Sequence, residues 1–265
     1  MNAPLVLCAV DLGPSTRRIL FHAVGLSRVL GASLHIVHVG ADDTSDLRDR
    51  VVAECEQAAP YEAAIDPEAV SIATGRVSEA IQREALRRGA TLVVMGSRGH
   101  GGLTRLLLGS TSDAFLALAR TPVLLVPPTD MDIVSLADRP ALTCGPVLAA
   151  VDLAEASEHQ LQVASRMAAI ASRPLILLTV ARSKTSDHDA AAQLRERAHG
   201  LSPVKPTSLI VRRGDVAEEI SRCALTEGTG LVVMGLRERP RGRPGLIASA
   251  VLKTGRAFVL AVPVS

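Results

Sequence analysis

The residues best equipped to act on a ligand lie in one loop. It runs Gly96-Ser97-Arg98-Gly99-His100-Gly101-Gly102 and continues to Gly109-Ser110-Thr111. Glycine lets backbone approach a ligand closely and tolerates positive φ. Gly109 and Ser110 stand immediately before a predicted helix. The first amides of a helix are unpaired and carry partial positive charge, which suits phosphate oxygens. The hydroxyls of Ser110 and Thr111 add donors. A plain glycine-rich turn capping the helix is the competing reading, but four glycines in seven residues are more than a turn needs.

The cationic side of such a site is unusual. The chain has 26 arginines and three lysines (Lys184, Lys205, Lys253), so residues 1–183 contain no lysine. A Gly-Lys-[Ser/Thr] phosphate loop is therefore absent. Polyphosphate charge would fall to backbone amides, a metal ion, or Arg98, His100 and Arg105, each of which is equally explained as solvated surface. No general base with an orienting partner stands near the loop, so binding is expected rather than fast turnover.

A second loop begins at Asp11, whose carboxylate can accept hydrogen bonds from a base or a ribose hydroxyl. Val39, at the end of the second predicted strand, can pack on a base. Other polar residues read as structural. His35 and His38 are three apart on a strand and face opposite sides, so they cannot share a metal. Glu79 and Glu84 read as solvated helix charge. Cys8, Cys55, Cys144 and Cys223 are far apart, without zinc spacing, and read as buried hydrophobes.

These loops must be placed by a larger frame, and the frame is repeated. "VLCAVDLGPS" at 6–15 matches "VLAAVDLAEA" at 147–156; "TGRVSEAI" at 74–81 matches "RGDVAEEI" at 213–220; "LVVMGSRGHGGL" at 92–103 matches "LVVMGLRERPRG" at 231–242. The order is the same and the offset nearly constant, so the halves are duplicates. Within each, short apolar runs alternate with helical periods. Leu5–Val10, Leu34–Val39, Val70–Ala73, Leu92–Met95 and Val123–Val126 read as strands of the first half. Val147–Val151, Leu175–Val180, Leu209–Val211, Leu231–Met234 and Val259–Val262 read as those of the second. Helices are expected from Ser15 (as cap) to Gly31, across 44–59, around Val77, Ile81 and Ala85, and at Ser110–Ala119. Alternating elements with apolar strands predict an α/β fold, a parallel sheet between helices. Ligands of such sheets sit beyond the carboxyl ends of the strands, where the winding reverses. We expect domains at 1–128 and 146–265, joined by a linker at 129–145 rich in Pro, Asp and Ser. The apolar last strands would be exposed edges unless paired with each other or with a second chain.

In the second half the matching loop begins at Gly235, with Glu238 opposite Gly99 and Ala248-Ser249 opposite Gly109-Ser110. Arg237, Arg239, Arg241 and Arg243 crowd it, with Pro240 and Pro244 between them. A carboxylate beside phosphate repels it. Either this loop has lost the ligand and kept a structural role, or its arginines bind another anion or an acidic partner.

The pattern Gly-x2-Gly-x9-Gly-Ser, filled by Gly96, Gly99, Gly109 and Ser110, resembles the ATP-binding signature of the universal stress protein family. Val10-Asp11 and "VVMGSRG" are similar to it as well, and the likeness spans both halves. It implies two tandem doubly wound five-stranded parallel sheets, adenine nucleotide α-hydrolase-like, with strand order 3-2-1-4-5, packed as a pseudo-dimer or dimerising through the last strands. It implies that Asp11 and Val39 meet adenine. It also implies that Met95, Gly96, Gly99, Gly109, Ser110 and Thr111 meet ribose and phosphates; of Arg98, His100 and Arg105, the residues themselves favour Arg98 as the charge partner. ATP with Mg²⁺ is the expected ligand, and stress-response regulation the expected role. The His-x-Gly-His signature of nucleotidyl-transferring relatives of this fold is absent.

Composition narrows the partners. Aromatic residues are 2% of the chain, with no Trp, so nucleic-acid recognition by base stacking is disfavoured. A net charge of +2 argues for neither nucleic acid nor an acidic membrane. No secretion signal or membrane-span pattern is evident, so a cytoplasmic location is expected.

Overall fold

The computed structural model describes residues 3–41, 44–58, 66–98, 108–136, 139–181, 185–236, 246–254 and 257–263. The first half runs β1 (Leu5–Val10), α1 (Thr16–Leu30), β2 (Ser33–Gly40), α2 (Ser45–Ala58), β3 (Val70–Thr74), α3 (Val77–Arg88), β4 (Leu92–Gly96), α4 (Ser110–Leu118) and β5 (Val123–Val126). A short hairpin follows, β6 (Val134–Ser135) and β7 (Ala141–Leu142). The second half runs β8 (Val147–Ala150), α5 (Glu158–Ala171), β9 (Leu175–Val180), α6 (Asp187–Ala198), β10 (Ser208–Arg212), α7 (Val216–Thr226), β11 (Leu231–Leu236), α8 (Leu246–Lys253) and β12 (Phe258–Pro263).

All ten long strands form one sheet, ordered β10-β9-β8-β11-β12-β5-β4-β1-β2-β3. Each half therefore has the order 3-2-1-4-5, parallel within itself. The halves meet through the one antiparallel ladder of this sheet, β12 on β5, where Leu124 pairs with Leu260 and Val123 with Ala261. The apolar run of β5 is thus covered rather than left as an edge.

The strands are apolar on both faces because helices cover both. Val6, Cys8 and Val10 point to the face packed by α1, α2, α5 and α6. Leu7 and Ala9 point to the other, packed by α3, α4, α7 and α8. Each core layer is continuous across the two halves.

The connecting segment is packed onto the first of these layers. Ile133, Val134, Leu142 and Cys144 are buried there. Arg18 of α1 clasps its start: Nε donates to the Pro127 carbonyl at 3.0 Å, one terminal nitrogen to Asp132 Oδ1 at 2.9 Å and the other to the Met131 carbonyl.

Two local expectations are corrected. Ser15 sits at the entry of α1, but its backbone is already helical (φ −85°, ψ −10°) and its hydroxyl caps nothing. A capping side chain works from extended backbone. The turn is closed by backbone instead, with Thr16 N–H donating to the Gly13 carbonyl at 2.9 Å. Glu84 is not solvated: it is 8% exposed and receives hydrogen bonds from Arg87, Arg88 and Ser71. No helix among the described residues is long and apolar enough to cross a membrane.

Candidate functional site

The sheet of the first half changes winding direction between β1 and β4, so a crevice opens past Val10 and Gly96. Asp11 begins one wall. It is half-buried, and its Oδ1 accepts the Gly13 N–H at 3.0 Å. This small ring holds Leu12 at φ 58°, a left-handed conformation that is uncommon outside glycine. In the second half Asp152 makes the same ring with Ala154 N–H at 3.0 Å.

Gly96 ends β4 on the other wall. Its φ is not positive; what it needs is space. A Cβ there would lie 3.0 Å from the Arg98 carbonyl oxygen and 3.0 Å from Ile19 Cδ1. Its own carbonyl accepts from Ser112 Oγ at 2.8 Å, which ties α4 to the end of β4. Ser97 N–H donates to the Val126 carbonyl at 2.9 Å, and Gly109 N–H donates to the Ser97 carbonyl at 2.8 Å. The chain is thus pinned where it leaves β4 and again where it returns. The return point is the start of α4: its N-cap residue Gly109 is extended (φ −62°, ψ 146°) and has no side chain to cap the helix.

Ser110 is the first residue of α4 and is exposed; Thr111 is half-buried. Asp113 also stands in this first turn, a carboxylate that sequence reasoning passed over. Val39, near the end of β2, is half-buried. Met95 is 4% exposed within β4, which leaves its backbone as the part within reach of a ligand. Arg98 is half-buried. Gly99, His100 and Arg105 lie outside the described residues.

His38 closes the crevice floor from β2: its Nδ1–H donates to the Val10 carbonyl at 3.0 Å. His35 is buried at the far side, on Ser71. The described cysteines offer no nucleophile, because burial pushes all four thiols up, Cys55 to about 12 and Cys223 to about 11. Among the described residues no group of three His, Cys, Asp or Glu could hold a metal ion. A Mg²⁺ here would take its ligands from phosphates and water, as it usually does.

The second half does not repeat this geometry. Ala248 and Ser249 lie inside α8, not at its start. Val123–Val126 and Val259–Val262 stand 136 residues apart, whereas Met95 and Met234 stand 139 apart. The second loop is therefore three residues shorter. The match of Ala248-Ser249 to Gly109-Ser110 was a coincidence of letters. Ser249 serves the first half instead: its Oγ accepts the Leu108 N–H at 3.2 Å. Arg237, Glu238, Arg239, Pro240, Arg241, Arg243 and Pro244 lie outside the described residues.

Comparison with known proteins fits this frame. The sequence profile of the universal stress protein family matches residues 5–127. Universal stress protein YxiE of Bacillus subtilis (strain 168) is 30% identical over 143 residues, which is 46% of this chain and 97% of YxiE. The chain belongs to the universal stress protein family. Two solved structures share the whole two-half arrangement. A universal stress protein from Archaeoglobus fulgidus DSM 4304 superposes with a TM-score of 0.67 at 19% identity, covering 99% of each chain. PA1789 of Pseudomonas aeruginosa PAO1, a protein of unknown function, gives 0.67 at 19%, covering 99% of this chain and 93% of its own.

Proposed function

We propose that the chain binds ATP, accompanied by Mg²⁺, in the crevice of its first half, and acts as a stress-response regulator through nucleotide-dependent conformation or partner binding. Two domains, 1–128 and 146–265, joined by the segment 129–145, would share this work, the first as the nucleotide-binding one. The carrying observation is the start of α4, with Gly109 at its N-cap offering no side chain of its own and Ser110 exposed, held beside the end of β4 by the Gly109-to-Ser97 hydrogen bond. First-turn amides next to a strand end crowded enough to need glycine at 96 make a setting for phosphate oxygens. Asp11 and Val39 stand on the side where adenine and ribose would lie, and Met95, Gly96, Arg98, Gly99, Gly109, Ser110 and Thr111 on the phosphate side.

Slow hydrolysis at most is expected, since His38 is committed to a backbone carbonyl and the buried cysteines are protonated. The cytoplasm suits a ligand of this kind. Binding would stabilise the liganded state by its own free energy.

The test is calorimetry with Mg·ATP on the wild type, Asp11→Ala and Gly109→Lys. Both variants should lose at least tenfold in affinity; unchanged affinity in both would overturn the assignment. Acid release and mass spectrometry of copurified nucleotide would separate this reading from a nucleotide-free scaffold. Steady formation of AMP and pyrophosphate would instead favour a nucleotidyl-transferring enzyme.

A further inference from the structure

A narrow cleft runs beside the start of α4, and its two walls come from different halves of the chain. Ser97, Arg98 and Leu108 line one side; Ser249, Leu252 and Lys253 of α8 line the other. The hydrogen bond from Leu108 N–H to Ser249 Oγ, 3.2 Å, joins the walls. Leu108 directly precedes Gly109, so the cleft borders the segment that turns into the first amides of α4.

The sheet explains how α8 comes to be there. The antiparallel pairing of Leu124 with Leu260 relates the halves by an approximate twofold axis. The end of β5 then lies near the start of β12, and the helix that feeds β12 is brought against the loop that follows β4. Under the same relation the α4 residue equivalent to Lys253 is Ala117, 136 positions earlier. The symmetry therefore supplies a cation to the cleft of the first half and only a methyl group to that of the second. The half without its own lysine receives one from the half whose loop is shortened.

We propose that Lys253 is a phosphate-binding residue of the first half's site and sets its preference for the number of phosphates. This rests on the nucleotide reading above and extends it. The cleft is too narrow to admit a phosphate, so the terminal phosphates of a triphosphate would meet Arg98 and Lys253 at its mouth, after the first-turn amides are filled. Lys253 is exposed and makes no ion pair among the described residues. A nucleoside monophosphate would not extend to it. Discrimination between ATP and AMP would then depend on contact across the two halves.

Lys253 also stands in the last turn of α8, where a cation offsets the helix dipole. That role is independent of ligand, and the experiment separates the two. Mg·ATP and AMP are titrated into the full chain as wild type, Lys253→Met and Lys253→Arg. The expected result is about tenfold weaker ATP binding in K253M, AMP binding unchanged, and near wild-type ATP binding in K253R. Equal loss for ATP and AMP, or no loss for either, would overturn the proposal. In parallel, wild type is acetylated at lysine with and without Mg·ATP and read by mass spectrometry. Lys253 should be protected by Mg·ATP and not by AMP, while exposed Lys205 reacts alike in all samples. A wild type that binds neither nucleotide sinks the nucleotide reading itself, and this proposal with it. One that binds ATP without protecting Lys253 sinks only the role given to Lys253.

Discussion

The imidazole of His22 lies against the ring of Phe258, with 4.6 Å between centroids, and so joins α1 of the first half to β12 of the second. His22 is fully buried. Its Nδ1–H donates to the Arg18 carbonyl at 2.8 Å, while Nε2 stands 3.5 Å from Asp132 Oδ1 without a hydrogen bond. Burial, reinforced by the Arg18 cation and opposed by the Arg18 carbonyl and Asp132, lowers its pKa to about 4.

That shift has a defined sign. The folded chain keeps His22 neutral, while the unfolded chain takes up a proton near pH 6.5. The stability held above pH 6.5 is lost as pH falls from 6.5 towards 4, by about 2.5 kcal/mol at pH 4.5. His22→Phe keeps a ring against Phe258 and removes the titration. Urea unfolding at pH 7.5 and 4.5 should show the variant gaining about 2 kcal/mol relative to wild type on acidification. A pH-independent difference would refute the assignment.

Arg18 binds the Pro127 carbonyl just before the connecting segment and two acceptors, Met131 and Asp132, on it, and lies 5.7 Å from the centroid of Phe258. A guanidinium reaches several acceptors in fixed directions, and an ammonium does not. Arg18→Lys should therefore destabilise by about 1–2 kcal/mol and Arg18→Met by about 2–3 kcal/mol. Limited proteolysis should then cut faster within 129–145 in the order Met, Lys, wild type. Equal cutting rates would show that the clasp does not hold the segment.

The same segment meets α1 at Gly25, where an added Cβ would come within 2.7 Å of the Val134 side chain. Gly25→Ala normally favours a helix by about 1 kcal/mol. Here the clash should reverse the sign and cost about 1–3 kcal/mol. Val134→Gly, which also removes the Val134 Cβ that would stand 2.8 Å from the added atom, should recover most of that clash in the double variant, so the two changes are non-additive by about 1 kcal/mol or more. Additive denaturation midpoints would exclude the contact.

Much of this architecture was legible because strands buried on both faces read as unbroken apolar runs. Leu175–Val180 and Val123–Val126 were found at the bounds expected, and β10 and β12 each extend one residue beyond at either end. The start of α4 at Ser110 was legible from Gly109-Ser110. What stayed hidden depends on three dimensions. Ala248-Ser249 matched Gly109-Ser110 by letter while the helix register had moved by three residues. Lys253 reaches the first half only through the twofold pairing of β5 with β12. Glu84 looked like solvated charge because helical periodicity does not reveal that Ser71 of β3 lies beneath it.

Glu84 carries the remaining prediction. Arg87 donates to both its oxygens, at 2.9 and 2.7 Å, Arg88 donates to Oε1, and the Ser71 hydroxyl donates to Oε1 at 3.0 Å. Since that hydroxyl proton is spent on Glu84, the 3.0 Å contact between Ser71 Oγ and His35 Nε2 is donated by the imidazole. His35 therefore carries a proton on Nε2, and burial and the nearby arginines, which lower its pKa to about 4, keep it neutral at pH 7. The Arg87 hydrogen bond, opposed by burial and aided by Arg88 and Ser71, lowers the Glu84 pKa from 4.5 to about 2. Its stabilisation is complete above pH 4.5 and is lost as pH falls towards 2, by about 2 kcal/mol at pH 3. Glu84→Gln puts an amide donor among arginine donors and should cost about 2–3 kcal/mol at pH 7. The deficit should shrink to within about 1 kcal/mol near pH 3, because the unfolded wild type is protonated there while the folded chain still holds the charge. Chemical denaturation across that range measures it, and a deficit that stays constant with pH would mean that Glu84 acts through shape alone.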